Sequence, residues 1–185
     1  LKGSADLDMQ GQSFKLEIYS LKNNQNQSLS TVSAGGMQVQ KSVFNKDQGY
    51  NVVNGQKIIL SEEELEQALT DSNLFSELSY DYEIVKLVGS STIDDQKVYE
   101  IKISDNNTEY YSIETGLKVK EVENQLIDGN QITIETTIKE YQEVNGILIP
   151  SEINQVTPAV PIPGGITIKF NTIELNVESS DSDFN

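Results

Sequence analysis

The chain has 185 residues and a formal net charge of −16, and its 13 positive side chains are all Lys. This length predicts one domain with a core of its own, and the acidic surface disfavours nucleic acid and anionic membranes as partners. Because His, Cys and Trp are all missing, the residues that most often transfer protons and bind transition metals are absent. Composition therefore argues against an enzyme, a cofactor and a metal site, and no run of about 18 apolar residues is present to span a membrane.

Alternating apolar and polar residues predict strands in the first third of the chain. Two or three strands are expected within residues 1–34, and residues 37–44 alternate as a half-buried strand does. The dipeptide Asn54-Gly55 lies between apolar residues at 50–53 and 57–60. This pattern predicts a hairpin closed by a two-residue turn.

The hydrophobic period changes at Ser61, which forms the pattern of a capping box with Glu64. Acidic residues in the first turn also suit the positive end of a helix dipole. Leu65 and Leu69 provide an apolar stripe, and polar residues near Asp71 interrupt it. The sequence therefore predicts one short helix or a broken helix pair.

The second half of the chain contains explicit turn sequences between segments rich in Ile, Val, Thr and Tyr. They are Glu114-Thr115-Gly116, Asp128-Gly129-Asn130 and Asn145-Gly146. The predicted strands are residues 82–88, 97–103, 109–113, 117–127, 131–141, 147–156 and 167–177, which brings the total to about eleven. Residues 178–185 have no periodicity and are predicted to be a disordered acidic tail.

These strands determine the predicted fold class. Successive strands joined by tight turns must be antiparallel, and few helices are present to cover the sheet. The prediction is a mainly β fold, a strongly curved antiparallel sheet that forms an open half-barrel, with the helix or helix pair on its concave face. Residues 1–177 are expected to form a single domain.

Five sequence segments, taken in order, carry a further signal. They are GGMQVQKSVFNKDQGYNVVNGQKI, LSEEELEQAL, VKLVGSSTIDDQKVYEIKI, EYYSIETGLKVKEV and EYQEVNGILIPSEI. The series lies within a pattern that covers residues 3–177 and resembles the LolA-like (lipoprotein carrier-like) family of cell-envelope domains. In particular, it is similar to the version appended C-terminally to bacterial M16 (insulinase-like) zinc peptidases.

The resemblance implies a half-barrel whose cavity holds acyl chains in the lipoprotein carriers, and a location in the periplasm or cell envelope of a Gram-negative bacterium. The family's N-terminal helix is expected upstream of Leu1. M16 peptidases bind zinc through His-Xaa-Xaa-Glu-His, so that motif is also expected on upstream sequence, because this chain has no His. The chain also lacks Arg, which helps to run the carrier cycle in the family.

Carboxylates are the abundant ionisable groups and suggest two kinds of polar site. A glycosidase-type acid pair could be formed among Glu62, Glu63 and Glu64, or by Asp94 and Asp95, but a helix start and a turn are solvated positions that favour capping and surface roles.

Calcium could bind near Asp105 and Asn107 or near Asp181 and Asp183, although no EF-hand loop is present and turns explain both clusters. The eight Tyr residues could form a platform that binds sugar or peptide. The simpler explanation is that their rings pack on the strands and their hydroxyl groups contact water.

Apolar side chains on the predicted strands and helix form the remaining candidate, a cavity for an apolar ligand. The candidate residues are Val39, Val43, Leu65, Leu69, Ile84, Val98, Ile101, Ile103, Ile132 and Ile134. The alternative is that they simply form a packed core.

The leading hypothesis is a non-catalytic cell-envelope accessory domain, the C-terminal module of an M16-type zinc peptidase. It would bind an apolar ligand such as an acyl chain or hydrophobic peptide, or the upstream peptidase domain itself. One alternative is a free-standing LolA-like lipoprotein with a carrier role, and another is a carbohydrate-binding or adhesive β module.

Overall fold

The structure is a computed structural model that describes residues 1–9, 12–71, 75–127, 130–158 and 162–184. The chain divides into two compact units according to which residues contact one another. Unit 1 comprises Leu1–Leu78 and Lys169–Asn185, and unit 2 comprises Ser79–Ile168.

Unit 1 begins with six strands, each antiparallel to the next along the chain. They are β1 (Lys2–Met9), β2 (Gln12–Lys22), β3 (Ser28–Ala34), β4 (Met37–Phe44), β5 (Gly49–Val53) and β6 (Gln56–Ile59). Asn54 and Gly55, which join β5 to β6, have φ angles of 50° and 81°. Positive φ at both positions defines the type I′ turn that the Asn-Gly sequence predicts.

Helix α1 (Glu62–Asp71) follows β6, and the predicted capping box is present at its start. The Ser61 amide and hydroxyl donate hydrogen bonds to Glu64 Oε2 at 2.7 and 2.8 Å, and the Glu64 amide donates to Ser61 Oγ at 3.3 Å. Leu65 of α1 packs against the backbone of Gly49 on β5. A short 3₁₀ helix follows at Ser76–Ser79, as the prediction of a broken helix allows.

Unit 2 contains six strands that are again antiparallel in sequence order. They are β7 (Lys86–Ile93), β8 (Gln96–Lys102), β9 (Asn107–Ser112), β10 (Lys118–Ile127), β11 (Asn130–Val144) and β12 (Ile147–Val156). The last strand, β13 (Ile166–Thr172), begins in unit 2 and ends in unit 1. The strand order is β6-β5-β4-β3-β2-β1-β13-β12-β11-β10-β9-β8-β7.

The predicted fold class is confirmed: the described residues form one large antiparallel sheet that is not closed into a barrel, with very few helices. The described strands number thirteen rather than about eleven. Asn145-Gly146 and Glu114-Thr115-Gly116 lie in hairpin turns as predicted, and Asp128-Gly129 lies outside the described residues.

The strand predicted at residues 82–88 is placed differently, because a turn precedes it. Asp81 Oδ1 accepts a hydrogen bond from the Glu83 amide at 3.0 Å, and the Asp81 carbonyl accepts from the Ile84 amide at 3.0 Å. An Asp side chain that binds the backbone two residues on stabilises a turn. The strand therefore starts at Lys86 and continues to Ile93, where Asp94 and Asp95 form the next turn with φ angles of 47° and 65°.

The C-terminal residues also differ from expectation. The strand predicted at residues 167–177 ends at Thr172. Within residues 178–185, for which disorder stays a prediction, the structure has a 3₁₀ helix at Asp181–Phe184 and buries Phe184 to 1% exposure. Burying an aromatic ring is the most favourable contact available to so polar a segment.

Among the residues whose burial the structure describes, few apolar side chains are buried in either unit. Those of unit 1 are Ala5, Val43, Ile173 and Phe184, and those of unit 2 are Val98 and Ile149. Unit 2 also buries the polar side chains of Glu109 and Ser112. Within the described part of the chain, no helix has the length and apolar character needed to cross a bilayer.

We predict that Gly49→Ala destabilises unit 1, because a Cβ there would lie 2.8 Å from Leu60 Cδ1 and 2.9 Å from Phe44 Cβ. Overpacking of this kind costs about 1–3 kcal/mol. Gly89→Ala is the matched control, since a Cβ at Gly89 meets nothing within 4 Å. Urea unfolding should show a lower midpoint for Gly49→Ala alone, and equal midpoints would contradict the packing of β5.

Candidate ligand-binding site

A cavity of about 210 Å³ lies beside β4, β5 and β6 in unit 1. We call it the β4–β6 pocket. Its lining is apolar or aromatic at Val43, Gly49, Tyr50, Ile59 and Phe184, and polar at Asn45, Gln48 and Lys57.

The pairing of β4, β5 and β6 aligns three of the side chains that line the β4–β6 pocket. Val43 on β4 is paired with Tyr50 on β5, and Tyr50 is paired with Ile59 on β6. Paired residues in an antiparallel sheet project from the same face, so the three side chains form one row across it. Val43 is buried at 2% exposure whereas Ile59 is 66% exposed, so the row runs from the interior of unit 1 to solvent.

The β4–β5 turn supplies the polar side of the pocket. Asn45 Oδ1 accepts hydrogen bonds from the amides of Asp47 at 3.0 Å and Gln48 at 3.1 Å. The Asn45 amide donates to the Gln48 carbonyl at 2.9 Å. These bonds fix the turn, and thereby the positions of Asn45 and Gln48 at the pocket.

Two ammonium groups flank the aromatic ring of the pocket. Lys57 Nζ lies 3.7 Å from the centroid of the Tyr50 ring, and Lys41 Nζ lies 5.7 Å from it. Both distances are within the range of cation–π attraction, which holds the lysines over the ring face. A positive group at an apolar pocket can pair with an anionic group on a ligand.

The predicted ligand residues divide between the two units. Of those in unit 1, Val43 lines the pocket, Leu65 packs against its lining residue Gly49, and Val39 and Leu69 are half-buried on β4 and α1. Val98 in unit 2 is fully buried, and Ile84 is 51% exposed. The other four, all half-buried in unit 2, are Ile101, Ile103, Ile132 and Ile134. A role in ligand binding stays a prediction for all ten.

Of the eight residues that line the pocket, sequence reasoning missed seven: Asn45, Gln48, Gly49, Tyr50, Lys57, Ile59 and Phe184. Tyr50, Lys57 and Ile59 flank the Asn54-Gly55 turn, and a type I′ turn fixes the strand register, so their alignment could have been found. Phe184 gave a weaker signal, as the one aromatic residue in an acidic segment.

The carboxylates considered for catalysis are exposed to solvent. Glu62, Glu63 and Glu64 lie in the first turn of α1, and Asp94 and Asp95 form the β7–β8 turn. Hydrogen bonds from the backbone and side chain of Ser61 lower the pKa of Glu64. A general acid needs a raised pKa, so the shift at Glu64 is in the wrong direction for that role.

The carboxylates considered for calcium have protein partners. Asp105 pairs with Lys102 at 2.7 Å, and this hydrogen bond and charge lower the Asp105 pKa. Asp181 accepts a hydrogen bond from Gln27, and Asp183 accepts from Ser180. No three acidic side chains converge to hold a metal ion among the residues that the structure describes.

Unit 2 contains a buried ionic cluster around Glu109, which is only 1% exposed. Its Oε1 accepts hydrogen bonds from Tyr80 Oη at 2.6 Å and Lys118 Nζ at 2.7 Å, and its Oε2 accepts from Tyr111 Oη at 2.5 Å. We call these four residues the Glu109 cluster. Three donors compensate the carboxylate for its lost hydration.

Burial of Lys118 by itself would lower its pKa, but attraction to Glu109 and Glu121 and the hydrogen bond to Glu109 outweigh this effect. The Lys118 pKa therefore lies well above its ordinary value. Because the Lys118 pKa is higher in the folded than in the unfolded protein, the charged ammonium group stabilises the fold. This stabilisation is fully present at pH values below the unfolded-state pKa and is lost only at strongly alkaline pH, so the ion pair persists at neutral pH. Because Glu109 is closed to solvent, the cluster fixes Tyr80 to β9 and β10 and offers no place for a substrate.

Solved structures of three proteins are similar in fold to this chain. A DUF1329 family protein from Desulfovibrio piger has a TM-score of 0.60 and 13% identity, and the match covers 100% of this chain and 88% of that one. A LolA superfamily protein from Nitrosomonas europaea has a TM-score of 0.58 and 12% identity, with coverage of 98% and 89%. A protein domain from Vibrio parahaemolyticus, described as an outer membrane lipoprotein-sorting domain, has a TM-score of 0.59 and 10% identity, with coverage of 100% and 87%.

The class of protein that follows is one with a LolA-like fold, as the sequence resemblance predicts. At these identities the likeness is one of fold. No protein-family model matches the sequence, and neither does any curated protein.

We predict that Glu109→Gln destabilises unit 2 by about 3 kcal/mol, because it removes the carboxylate 2.7 Å from Lys118 Nζ and leaves only Glu121, at 3.8 Å, to pair with this largely buried ammonium group. Asp105→Asn is the matched control. It breaks an ion pair of the same 2.7 Å length, but both partners are solvent-exposed. Thermal unfolding should show a large decrease in Tm for Glu109→Gln and scarcely any for Asp105→Asn. Similar shifts would contradict the buried pairing.

Proposed function

We propose that this chain is a non-catalytic binding domain of the bacterial cell envelope, and that its β4–β6 pocket holds an apolar ligand bearing an anionic group. The observation that supports this best is the row of Val43, Tyr50 and Ile59, with Lys57 Nζ 3.7 Å from the Tyr50 ring centroid. Ligand sites commonly combine an apolar lining with a few placed polar groups that set orientation and specificity.

The chemistry of the lining favours binding over catalysis. Its described residues include one ammonium group, two amides and one phenol, and no carboxylate that could act as a base beside them. An acyl chain or a hydrophobic peptide segment would bury its apolar part against Val43 and Ile59. Its carboxylate, phosphate or acidic side chain would pair with Lys57.

The structural neighbours support an envelope role at the level of fold. One is a LolA superfamily protein, and another is described as an outer membrane lipoprotein-sorting domain. We therefore propose the periplasm or cell envelope of a Gram-negative bacterium as the location of this chain. Detection of the native protein in the periplasmic or membrane fraction of its host would support this location, and a cytoplasmic location would contradict it.

On the basis of the sequence resemblance, we propose that this chain is the C-terminal accessory module of an M16-type zinc peptidase. Its partner would be the upstream peptidase domain of the same protein. A free-standing lipoprotein carrier is the second candidate, which the lipoprotein-sorting neighbour favours. Mass spectrometry of the native polypeptide separates the two. A His-Xaa-Xaa-Glu-His peptide would support the first, and a lipid-modified Cys would support the second.

We predict that Lys57→Gln weakens binding of an anionic apolar dye, anilinonaphthalene sulfonate, about fivefold, as expected for loss of an exposed ion pair worth about 1 kcal/mol. Lys97→Gln is the matched control, because it changes the net charge equally from an exposed position in unit 2. Fluorescence titration measures both dissociation constants. Equal weakening in the two variants would show a non-specific charge effect, and failure of the unmodified chain and of every folded variant to bind would overturn the proposal. Retention on a glycan array without dye binding would favour a carbohydrate-binding module instead.

A further inference from the structure

Phe184 is the buried anchor of an otherwise exposed segment. Residues 176–183 are all exposed, whereas Phe184 is 1% exposed and forms one wall of the β4–β6 pocket. We call residues 177–184 the C-terminal segment. A segment of which only one side chain is buried can leave and return without disturbing the strands beneath it.

The C-terminal segment has its own local structure. Asp183 Oδ2 accepts hydrogen bonds from the Ser180 amide at 2.7 Å and its hydroxyl at 3.0 Å, and the Asp183 amide donates to the Ser180 carbonyl at 2.9 Å. A hydrogen bond from Gln27 Nε2 to Asp181 Oδ1 at 3.1 Å ties the segment to the β2–β3 connection at an exposed position. The 3₁₀ helix can therefore move as one piece, at the cost of exposed polar contacts and one buried ring.

The volume of the pocket indicates what Phe184 does there. About 210 Å³ is below the range of roughly 300–1,000 Å³ that drug-sized ligands require. A buried aromatic side chain covers about 150–250 Å² of surface. Departure of Phe184 would thus enlarge the pocket, whose other apolar lining includes Val43 and Ile59.

The composition of the C-terminal segment matches that of the proposed ligand. It combines one aromatic residue with the carboxylates of Glu178, Asp181 and Asp183. An apolar group accompanied by negative charge is the chemistry that a pocket with Tyr50 and Lys57 would recognise. The same features would let a ligand of this class compete with the segment for one site.

We propose that the C-terminal segment is an autoinhibitory plug: in the free protein Phe184 walls the β4–β6 pocket and restricts it to about 210 Å³, and an apolar anionic ligand displaces this side chain. This inference rests on the proposed function and adds its regulation. The apparent affinity of such a site is reduced by the fraction of molecules in which the pocket is open. Removal of the plug therefore strengthens binding without any new contact to the ligand.

The first test is Phe184→Ala, with Val177→Ala as the matched control, because Val177 is an exposed apolar residue of the same segment outside the pocket lining. Titration with anilinonaphthalene sulfonate should give about tenfold tighter binding to Phe184→Ala and unchanged binding to Val177→Ala, as expected if the pocket is open in about one molecule in ten. Circular dichroism checks that both variants keep the sheet.

The second test uses the absence of Trp from this chain. Phe184→Trp introduces a single indole at the plug position, and its emission should shift to longer wavelength as the dye or a medium-chain fatty acid saturates the site. This measurement remains informative if Phe184→Ala fails to fold.

The outcomes separate the plug from the proposed function. Dye affinity that is equal or weaker in folded Phe184→Ala, or indole emission that stays constant at saturation, would overturn the plug and leave the binding function intact. Absence of dye and fatty-acid binding to the unmodified chain and to every folded variant would overturn the proposed function, and with it the plug.

Discussion

The antiparallel register of β4, β5 and β6 is the constraint on which the candidate site depends. The Asn54-Gly55 turn, with positive φ at both residues, sets the pairing of β5 with β6. Val43, Tyr50 and Ile59 fall in one row only in this register. A slip by one residue would turn every second side chain to the opposite face, so that the apolar row and the ammonium groups would no longer lie together. The pocket is thus specified by backbone pairing before side-chain packing contributes.

Different interactions determine how the side chains are arranged in the two units. Unit 1 arranges apolar side chains over a pocket, whereas unit 2 buries the charged Glu109 with three hydrogen-bond donors. Such a cluster adds little net stability over an apolar equivalent, because desolvation of the ions consumes most of the gain. It does penalise any arrangement in which Tyr80 or Lys118 is displaced. We infer that the Glu109 cluster holds the chain that precedes β7 in one position, while it adds little to the free energy of unfolding.

How much could be predicted from the sequence depended on how local the determining interaction is. The capping box at Ser61 and the Asn-Gly turns act over two to four residues, and both were predicted correctly. The turn at Asp81 was missed because its side-chain hydrogen bond overrides the strand propensity of the residues that follow. Burial of Glu109 and Phe184 depends on residues far along the chain: Glu109 accepts a hydrogen bond from Tyr80, and Phe184 lines a cavity together with Val43. Neither residue lies in a pattern of hydropathy that would mark it as buried.

The charge of the chain bears on how the pocket and its plug work together. A net charge of −16 opposes the approach of any anion, but charges on the surface are screened beyond about 8–10 Å at physiological salt. Lys57 and Lys41 act over shorter distances, so a ligand that reaches the pocket meets local positive charge next to the Tyr50 ring. The C-terminal segment meets the same charge but is covalently attached, which gives it a high effective concentration. It can therefore close the pocket with a single aromatic side chain, and a free ligand must supply more apolar contact than Phe184 does in order to replace it.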